Sequence, residues 1–360
     1  MRLTLNEVKK RIEKMIPKGL DYDIDVEAGS IAIITHTPRE FGKGGGESLT
    51  VKIAKSIKRR VVIRPHRDLL LNEDQVEQKI METIPNEAQV RNIFIDPALS
   101  EVTIECDDPS IAVGHKGTII QALRDEIGWL VNVTRAPAFE SRTQHDIRRY
   151  RREMADERRG LLRKFGTRIY RPKRPGQPWA RITALGSYRE VGRAMHLVTT
   201  NESKVLVDVG AKPTVNKNEV QPFFNAPELL PLDNIDAVVL THAHVDHIAM
   251  LPVLFRYGYR GPVYCTPPTR DLMTLLQIDY IKVAQAEGTD PPYSKADIQE
   301  CIKHVVDIGH GEKTDIAPDI KISMENAGHI LGSSSVYMHI GEGSHEPVSY
   351  THLRAHETDR

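Results

Sequence analysis

This 360-residue sequence predicts an α/β and α+β architecture, on three observations. A pattern of helix, strand, strand, glycine turn, helix, strand occurs twice in the first 140 residues, with a period of about 70. Beyond about Arg181 the pattern changes to short apolar strands separated by glycine and polar turns, with helices interspersed, the mark of a layered α/β domain. The hydrophobic fraction of 40% supports packed cores, and the length allows two or three domains.

The elements follow in order. "LNEVKKRIEKMIP" (5–17) has helical periodicity and ends at Ile-Pro, and "NEDQVEQKIMETIP" (72–85) does the same. Strand-like runs come next: "DYDIDV" and "IAIITHTP" in the first copy, "RNIFID" and "VTIECDDP" in the second. Glycine turns follow, "GKGG" at 42–45 and "GHKG" at 114–117. Each opens an amphipathic segment, "ESLTVKIAKSIKRR" or "TIIQALRDEIGW", and each copy closes on a β-rich run, "VVIRP" or "VNVTRAP". A G-x-x-G turn lets backbone approach a sugar-phosphate strand, and the helix N-terminus behind it favours phosphate. Gly114 and Gly117 supply those corners, and His115 and Lys116 at the tip add charge or hydrogen bonds. The competing reading is a plain helix-leading turn. The first loop, richer in glycine, is the weaker case.

The charge balance is neutral, 49 basic against 49 acidic residues, but locally uneven. From Arg142 to Arg174 there are 13 Lys or Arg and 4 Asp or Glu. That run reads as a charged helix and a Pro-rich linker, "YRPKRPGQPWA". It is either a solvated face or an electrostatic footprint for a polyanion. Three distant cysteines, Cys106, Cys265 and Cys301, speak against a disulfide scaffold and for a reducing cytoplasm. The N-terminus lacks the apolar core of a signal peptide, and no apolar run is long enough to span a bilayer.

The chemistry concentrates in "LTHAHVDHIA" (240–249), with His242, His244, Asp246 and His247 in six positions. Histidines two apart, just past the strand "DAVVL", point the same way. Asp246 and His247, one turn on, reach a second metal beside the first. Two adjacent metals clamp a phosphate and activate a water.

H-x-H-x-D-H resembles the signature of the metallo-β-lactamase superfamily. "GSYREVGRAMHLV" (186–198) resembles that family's first hairpin. "VLVDVG" carries Asp208, matching the strand-end Asp that orients the histidine loop. "NAGHILGSS" (326–334) supplies His329, matching the next histidine ligand. His196, His304 and His310 are left as structural or surface histidines. The two N-terminal copies resemble a pair of KH RNA-binding domains, and "THAHVDHIAMLPVLFRYGYRGPVYCTPPTRDLMTLLQIDY" resembles the β-CASP ribonucleases. The combination resembles the archaeal homologues of the cleavage and polyadenylation specificity factor nuclease.

That resemblance implies two KH-like α/β domains (1–68 and 69–140), a basic helix and linker (141–180) and a partial metallo-β-lactamase αββα sandwich (181–350). It implies two Zn2+ ions per complete site, with His242, His244, Asp246, His247 and His329 as ligands. Asp246 and Asp208 are the expected catalytic residues, with Asp246 ligating and helping proton handling and Asp208 orienting the loop. Gly114, His115, Lys116 and Gly117 are expected to bind single-stranded RNA. The implied activity is RNA endonuclease, with 5′-to-3′ exonuclease in some members, in 3′-end formation and transcription termination. The implied partners are RNA, the transcription machinery and a second copy through a C-terminal segment; the expected location is the cytoplasm.

The family pattern continues to a strand ending in Thr-Gly-Asp, whose Asp bridges the metals. Here "PVSYTHLRAHETDR" places His-Leu after Tyr350 and Thr351, and Asp359 is at the wrong spacing. The expectation is an N-terminal fragment with impaired or no activity and a non-native tail over 351–360. Two other functions compete with the nuclease: a non-catalytic RNA-binding module acting through the KH repeat, and a small-molecule metallohydrolase, for which tandem RNA-binding domains have no evident use.

Overall fold

The computed structural model describes residues 3–42, 47–172, 179–212 and 221–341. The chain divides into two compact units. One comprises Asn6–Glu27 and Ile31–Gly160; the other runs from Leu161 onward and takes in Met1–Leu5 and Ala28–Ser30.

The first unit holds the two repeats. In the first, helix α1 (Leu5–Glu13) buries Val8 and Ile12, one turn apart on its apolar face. Strands β1 (Asp23–Glu27) and β2 (Ser30–Thr35) follow, then the short helix α2 (Pro38–Gly42), helix α3 (Leu49–Ile57) and β3 (Arg60–Pro65). The three strands form a sheet in the order β1-β2-β3. The second copy repeats this with α4 (Glu73–Thr83), β4 (Val90–Asp96), β5 (Glu101–Cys106), the short helix α5 (Pro109–Val113), α6 (Thr118–Ile127) and β6 (Leu130–Arg135). β4 and β5 pair antiparallel, β5 and β6 parallel. Val76 and Ile80 of α4 meet Ile104, Leu123 and Ile127 in one core. Each such side chain contributes about 1.5–3 kcal/mol by leaving water. The repeat is therefore real, with one addition: a five-residue helix stands before each glycine turn.

The basic run forms two helices, α7 (Arg142–Glu153) and α8 (Ala155–Ile169). Many of its arginines meet carboxylates of their own unit. Arg148 reaches Glu105 at 2.9 Å, Arg152 reaches Glu73 at 2.6 Å and Arg158 reaches Asp96 at 2.8 Å. Farther on, Arg168 and Arg171 converge on buried Asp236 at 2.7 and 2.6 Å. Much of the local positive charge thus holds these helices in place. The Pro-rich linker falls largely on 173–178, outside the described residues, as do 43–46 of the first glycine turn and everything after 341, including Tyr350, Thr351 and the 351–360 tail.

The second unit is a pair of sheets. β7 (Ala180–Ala184), β8 (His196–Thr200) and β9 (Lys204–Val207) are antiparallel neighbours. β10 (Ala237–Val239) then joins β9 in parallel. Helices α9 (Val245–Ile248) and α10 (Leu251–Arg256) lead to β11 (Val263–Cys265). Helices α11 (Pro267–Ala286) and α12 (Lys295–His304) lead to β12 (Val305–Asp307), which pairs in parallel with β11. The sheet order is β12-β11-β10-β9-β8-β7. The second sheet is an antiparallel meander of β13 (Lys313–Ala317), β14 (Ile320–Asn326) and β15 (Ser334–Ile340). Val205, Val207 and Val239 of one sheet pack against Ile322, Met324 and Val336 of the other. β14 and β15 alternate apolar and polar residues, which gives their sheet one dry face, whereas β9 and β10 read as apolar runs, buried almost throughout. All three cysteines are buried thiols. Among the described residues no helix is long and apolar enough to cross a membrane.

Candidate metal centre and glycine-turn groove

The metal motif sits where β9 and β10, two parallel strands, both end. In open α/β sheets that edge is where ligands collect. β9 runs out into Asp208, whose backbone takes φ 58°, a conformation side chains other than glycine rarely adopt and one often kept for functional sites. Gly210 follows because nothing larger fits: a Cβ there would fall 1.5 Å from the backbone oxygen of Asp246. The backbone N–H groups of Val209 and Ala211 donate to His247 and Val245 at 2.8 and 3.1 Å. The 208–211 segment is thus a cradle for α9.

Asp208 is buried and organises the histidines. Its carboxylate accepts from the Thr241 N–H and hydroxyl, both at 2.8 Å, and from His247 Nδ1 at 2.7 Å. Burial pushes this carboxyl up, but the His247 charge and these hydrogen bonds outweigh it, so it lies below the usual carboxylate range. The Thr241 hydroxyl spends its only proton on Asp208. It must therefore accept at 2.9 Å from His242 Nδ1–H. That fixes the tautomer and leaves Nε2 of His242 as a lone pair. This atom is buried without a partner among the described residues. Burial, with His247 adding to it, pushes the His242 imidazole down to about 3, so it is neutral and ready to ligate.

His244 and His329 complete the convergence. His329 lies in the β14–β15 connection, where Ser334 N–H donates to Thr241 O at 2.8 Å and Ser333 Oγ accepts from the N–H groups of His329 and Ile330, both at 3.1 Å. Gly332, at φ 81°, carries a carbonyl oxygen that accepts from the Thr266 and Thr269 hydroxyls at 2.7 and 3.0 Å. His329 Nε2 comes within 3.1 Å of His244 Nδ1. Ligand atoms of His242, His244 and His329 lie within 4.8 Å of one another. A tetrahedral zinc with bonds of 2.0–2.1 Å holds its nitrogens roughly 3.3 Å apart, so this donor set fits one zinc after small shifts. Asp246 and His247 stand beside it as a pair, 3.5 Å apart, with the His247 ring 4.0 Å from that of His242. They are outside the three-histidine cluster but placed to serve a neighbouring ion.

Sequence reasoning missed Thr241, the link between Asp208 and His242, although it sits inside the quoted motif. It also left His310 unassigned. His310 Nε2 lies 3.1 Å from Ser334 Oγ, and it lines a groove of about 670 Å³ with His329 and Leu331. His304 is structural: it is buried, and its Nδ1 lies 2.8 Å from Gly261 O. His196 is half-buried, and burial pushes its imidazole down.

In the second repeat, Gly114 and Gly117 have φ 75° and 79°, and Lys116 between them has φ 52°. A Cβ on Gly114 would meet Ile119 at 2.7 Å, whereas one on Gly117 meets nothing. Helix α6 then starts with no side-chain cap, its first N–H, of Thr118, donating to His115 O, whereas Ser48 Oγ caps α3 of the first repeat by accepting from Val51 N–H. Beside this turn lies a groove of about 530 Å³ lined by Lys116, Gln121, Arg124 and Asn132.

The sequence profile described as "Metallo-beta-lactamase superfamily domain" matches residues 197–359. That match reaches into the segment expected to be foreign. The profile described as "Transcription termination factor FttA, KH domain" matches residues 2–70, the repeat whose loop was the weaker case. The chain combines a KH domain with a metallo-β-lactamase domain. Two relatives, both named "Transcription termination factor FttA", extend the similarity. The Methanosarcina mazei protein is 41% identical over 345 residues, 96% of this chain and 54% of the relative. The Thermococcus kodakarensis protein is 42% identical over 348 residues, 95% and 53%. The chain thus spans about half the length of the curated relatives it matches. A metallo-β-lactamase from Cronobacter sakazakii aligns over 47% of this chain and 62% of its own, at TM-score 0.32 and 17% identity, too weak a superposition to add to the sequence match. The superfamily is one of metal-dependent hydrolases, and His242, His244 and His329 form its candidate metal group.

Proposed function

We propose that this chain binds single-stranded RNA through its glycine-turn groove and belongs to a zinc-dependent ribonuclease that acts in RNA 3′-end formation and transcription termination. The single observation that carries the hydrolase reading is the orphaned, buried Nε2 of His242, aimed at two further imidazoles at the end of two parallel strands. His242, His244 and His329 would hold zinc, with Asp246 and His247 for a second ion. Zinc there would supply a positive charge to neutralise a phosphodiester and make a water acidic enough to act as nucleophile. The chain's own residues do the rest. Asp208 holds His247 and Thr241 in place, Thr241 keeps His242 in the ligating tautomer, and Asp246 takes up or delivers a proton. Similarity to proteins named as termination factors supports the cellular role. The transcription machinery and a second copy of the chain are the proposed protein partners, and the cytoplasm the proposed location.

A second reading, RNA binding without cleavage, is favoured by the uncapped N-terminus of α6 beside its open groove. The test is zinc content and cleavage of a labelled single-stranded RNA by this chain and by H242A/H244A. Zinc-dependent cleavage that the double variant loses supports the nuclease. RNA binding with zinc bound but no cleavage supports the second reading for this chain. Absence of zinc from the folded chain overturns the metal centre.

A further inference from the structure

We propose a second, separate metal site in the first repeat, formed by His36, His66 and Asp68 with Asp21 behind them. It would take a borderline divalent cation, Zn2+ first. This inference does not rest on the hydrolase reading, because the residues belong to the other compact unit.

The geometry begins at Asp21. Its carboxylate accepts from His36 N–H at 3.1 Å and sits 2.6 Å from His36 Nδ1. With Nδ1–H donated there, Nε2 of His36 is left as a lone pair. Histidines that ligate metals as a rule donate their other ring N–H to a carboxylate in this way, which fixes ring and tautomer. His66 arrives beside it because its backbone N–H donates to Thr35 O at 2.9 Å. The two rings stack with centroids 4.0 Å apart. His66 caps the short turn Arg67–Leu69, its Nδ1 accepting from Asp68 N–H at 3.5 Å. Asp68 Oδ2 lies 3.2 Å from that same Nδ1 and 4.0 Å from His36 Nε2.

A metal would take the single lone pair of His66 Nδ1 from its long contact with Asp68 N–H, with Asp68 Oδ2 and the lone pair of His36 Nε2 close by. Ligand atoms of the three residues lie within 4.8 Å of one another, so modest side-chain rotation closes the set. Two imidazoles and a carboxylate suit zinc, with water as fourth ligand. Bound metal would tie the ends of β2 and β3 to the turn that leads into the second repeat. The cluster is partly exposed, so an ion can reach it from solvent.

The test is zinc per chain after metal stripping, reloading with Zn2+ and desalting, in the H242A/H244A background. The H242A/H244A chain should retain one equivalent, and adding H36Q/H66Q should remove it. Glutamine keeps the bulk at exposed His36 and half-buried His66, and circular dichroism checks the fold. Asp21→Asn, which spares every ligand, should weaken Co2+ binding, read by its visible absorption, about 10- to 100-fold. Equal zinc with and without H36Q/H66Q would overturn the site. Unchanged Co2+ affinity in Asp21→Asn would overturn the orienting role. If H242A/H244A does not fold, the comparison moves to the unaltered chain, where H36Q/H66Q must lower zinc by one equivalent.

Discussion

At Asp208 one buried carboxylate answers three donors, and two of the three histidine-bearing positions of the motif depend on it. His247 is held directly and His242 through Thr241. An amide in its place keeps the shape but presents N–H groups to donors on one side. The Thr241 hydroxyl is then free to turn, and His242 loses the partner that fixes its proton on Nδ1. Asp208→Asn should therefore lower zinc affinity about 10- to 100-fold, as losses behind a metal ligand do. Competition against a chelator measures it. Affinity within twofold of the unaltered chain would show that the ring orientations survive without Asp208. The motif's histidines were legible in the sequence because their spacing is local. Thr241 was in view but silent, since its role depends on Asp208, 33 positions upstream. His329 was legible only through its flanking residues; nothing in a lone histidine says that it returns to a strand end 85 positions away.

Among the elements, the two glycine turns lead into helices with different N-termini. α3 has Ser48 over its first turn, whereas α6 follows Gly117 with no side-chain cap. A helix dipole with no side-chain cap over it favours a phosphate at α6. Gly117→Asp places a carboxylate there. A Cβ at this position meets no neighbour, and aspartate tolerates positive φ better than most residues. Single-stranded RNA should then bind roughly tenfold more weakly, about 1.4 kcal/mol, by fluorescence anisotropy, with little change in melting temperature. Affinity unchanged in a folded variant would move RNA to another surface. The repeat order was legible because each helix and strand shows its own periodicity. The five-residue helices α2 and α5 were not, since a single turn holds too few positions to display a period. The basic run showed its charge but not its partners, because Glu105, Asp96 and Asp236 are remote in sequence from the arginines they meet. Arg148, Arg152 and Arg158 serve the packing of α7 and α8 before they can serve any polyanion.

For the whole molecule, two compact units with their own apolar cores predict more than one unfolding step. Zinc should separate those steps further, because a ligand stabilises only the unit that holds it. At a free concentration one hundredfold above its dissociation constant, an ion adds about 2.7 kcal/mol. For a unit of this size that is a rise of roughly 5–10 °C. His242, His244 and His329 all lie in the unit that runs from Leu161, so one calorimetric transition should rise with Zn2+ and fall back on chelation. H242A/H244A should abolish that response without touching the other transition. The other transition carries its own zinc response if His36, His66 and Asp68 bind an ion, and H36Q/H66Q should then silence it alone. A response of both transitions lost together in either double variant would show that the two units do not unfold separately. A first response insensitive to H242A/H244A would remove the three imidazoles from the metal centre, and with them the physical basis for hydrolysis at the ends of β9 and β10.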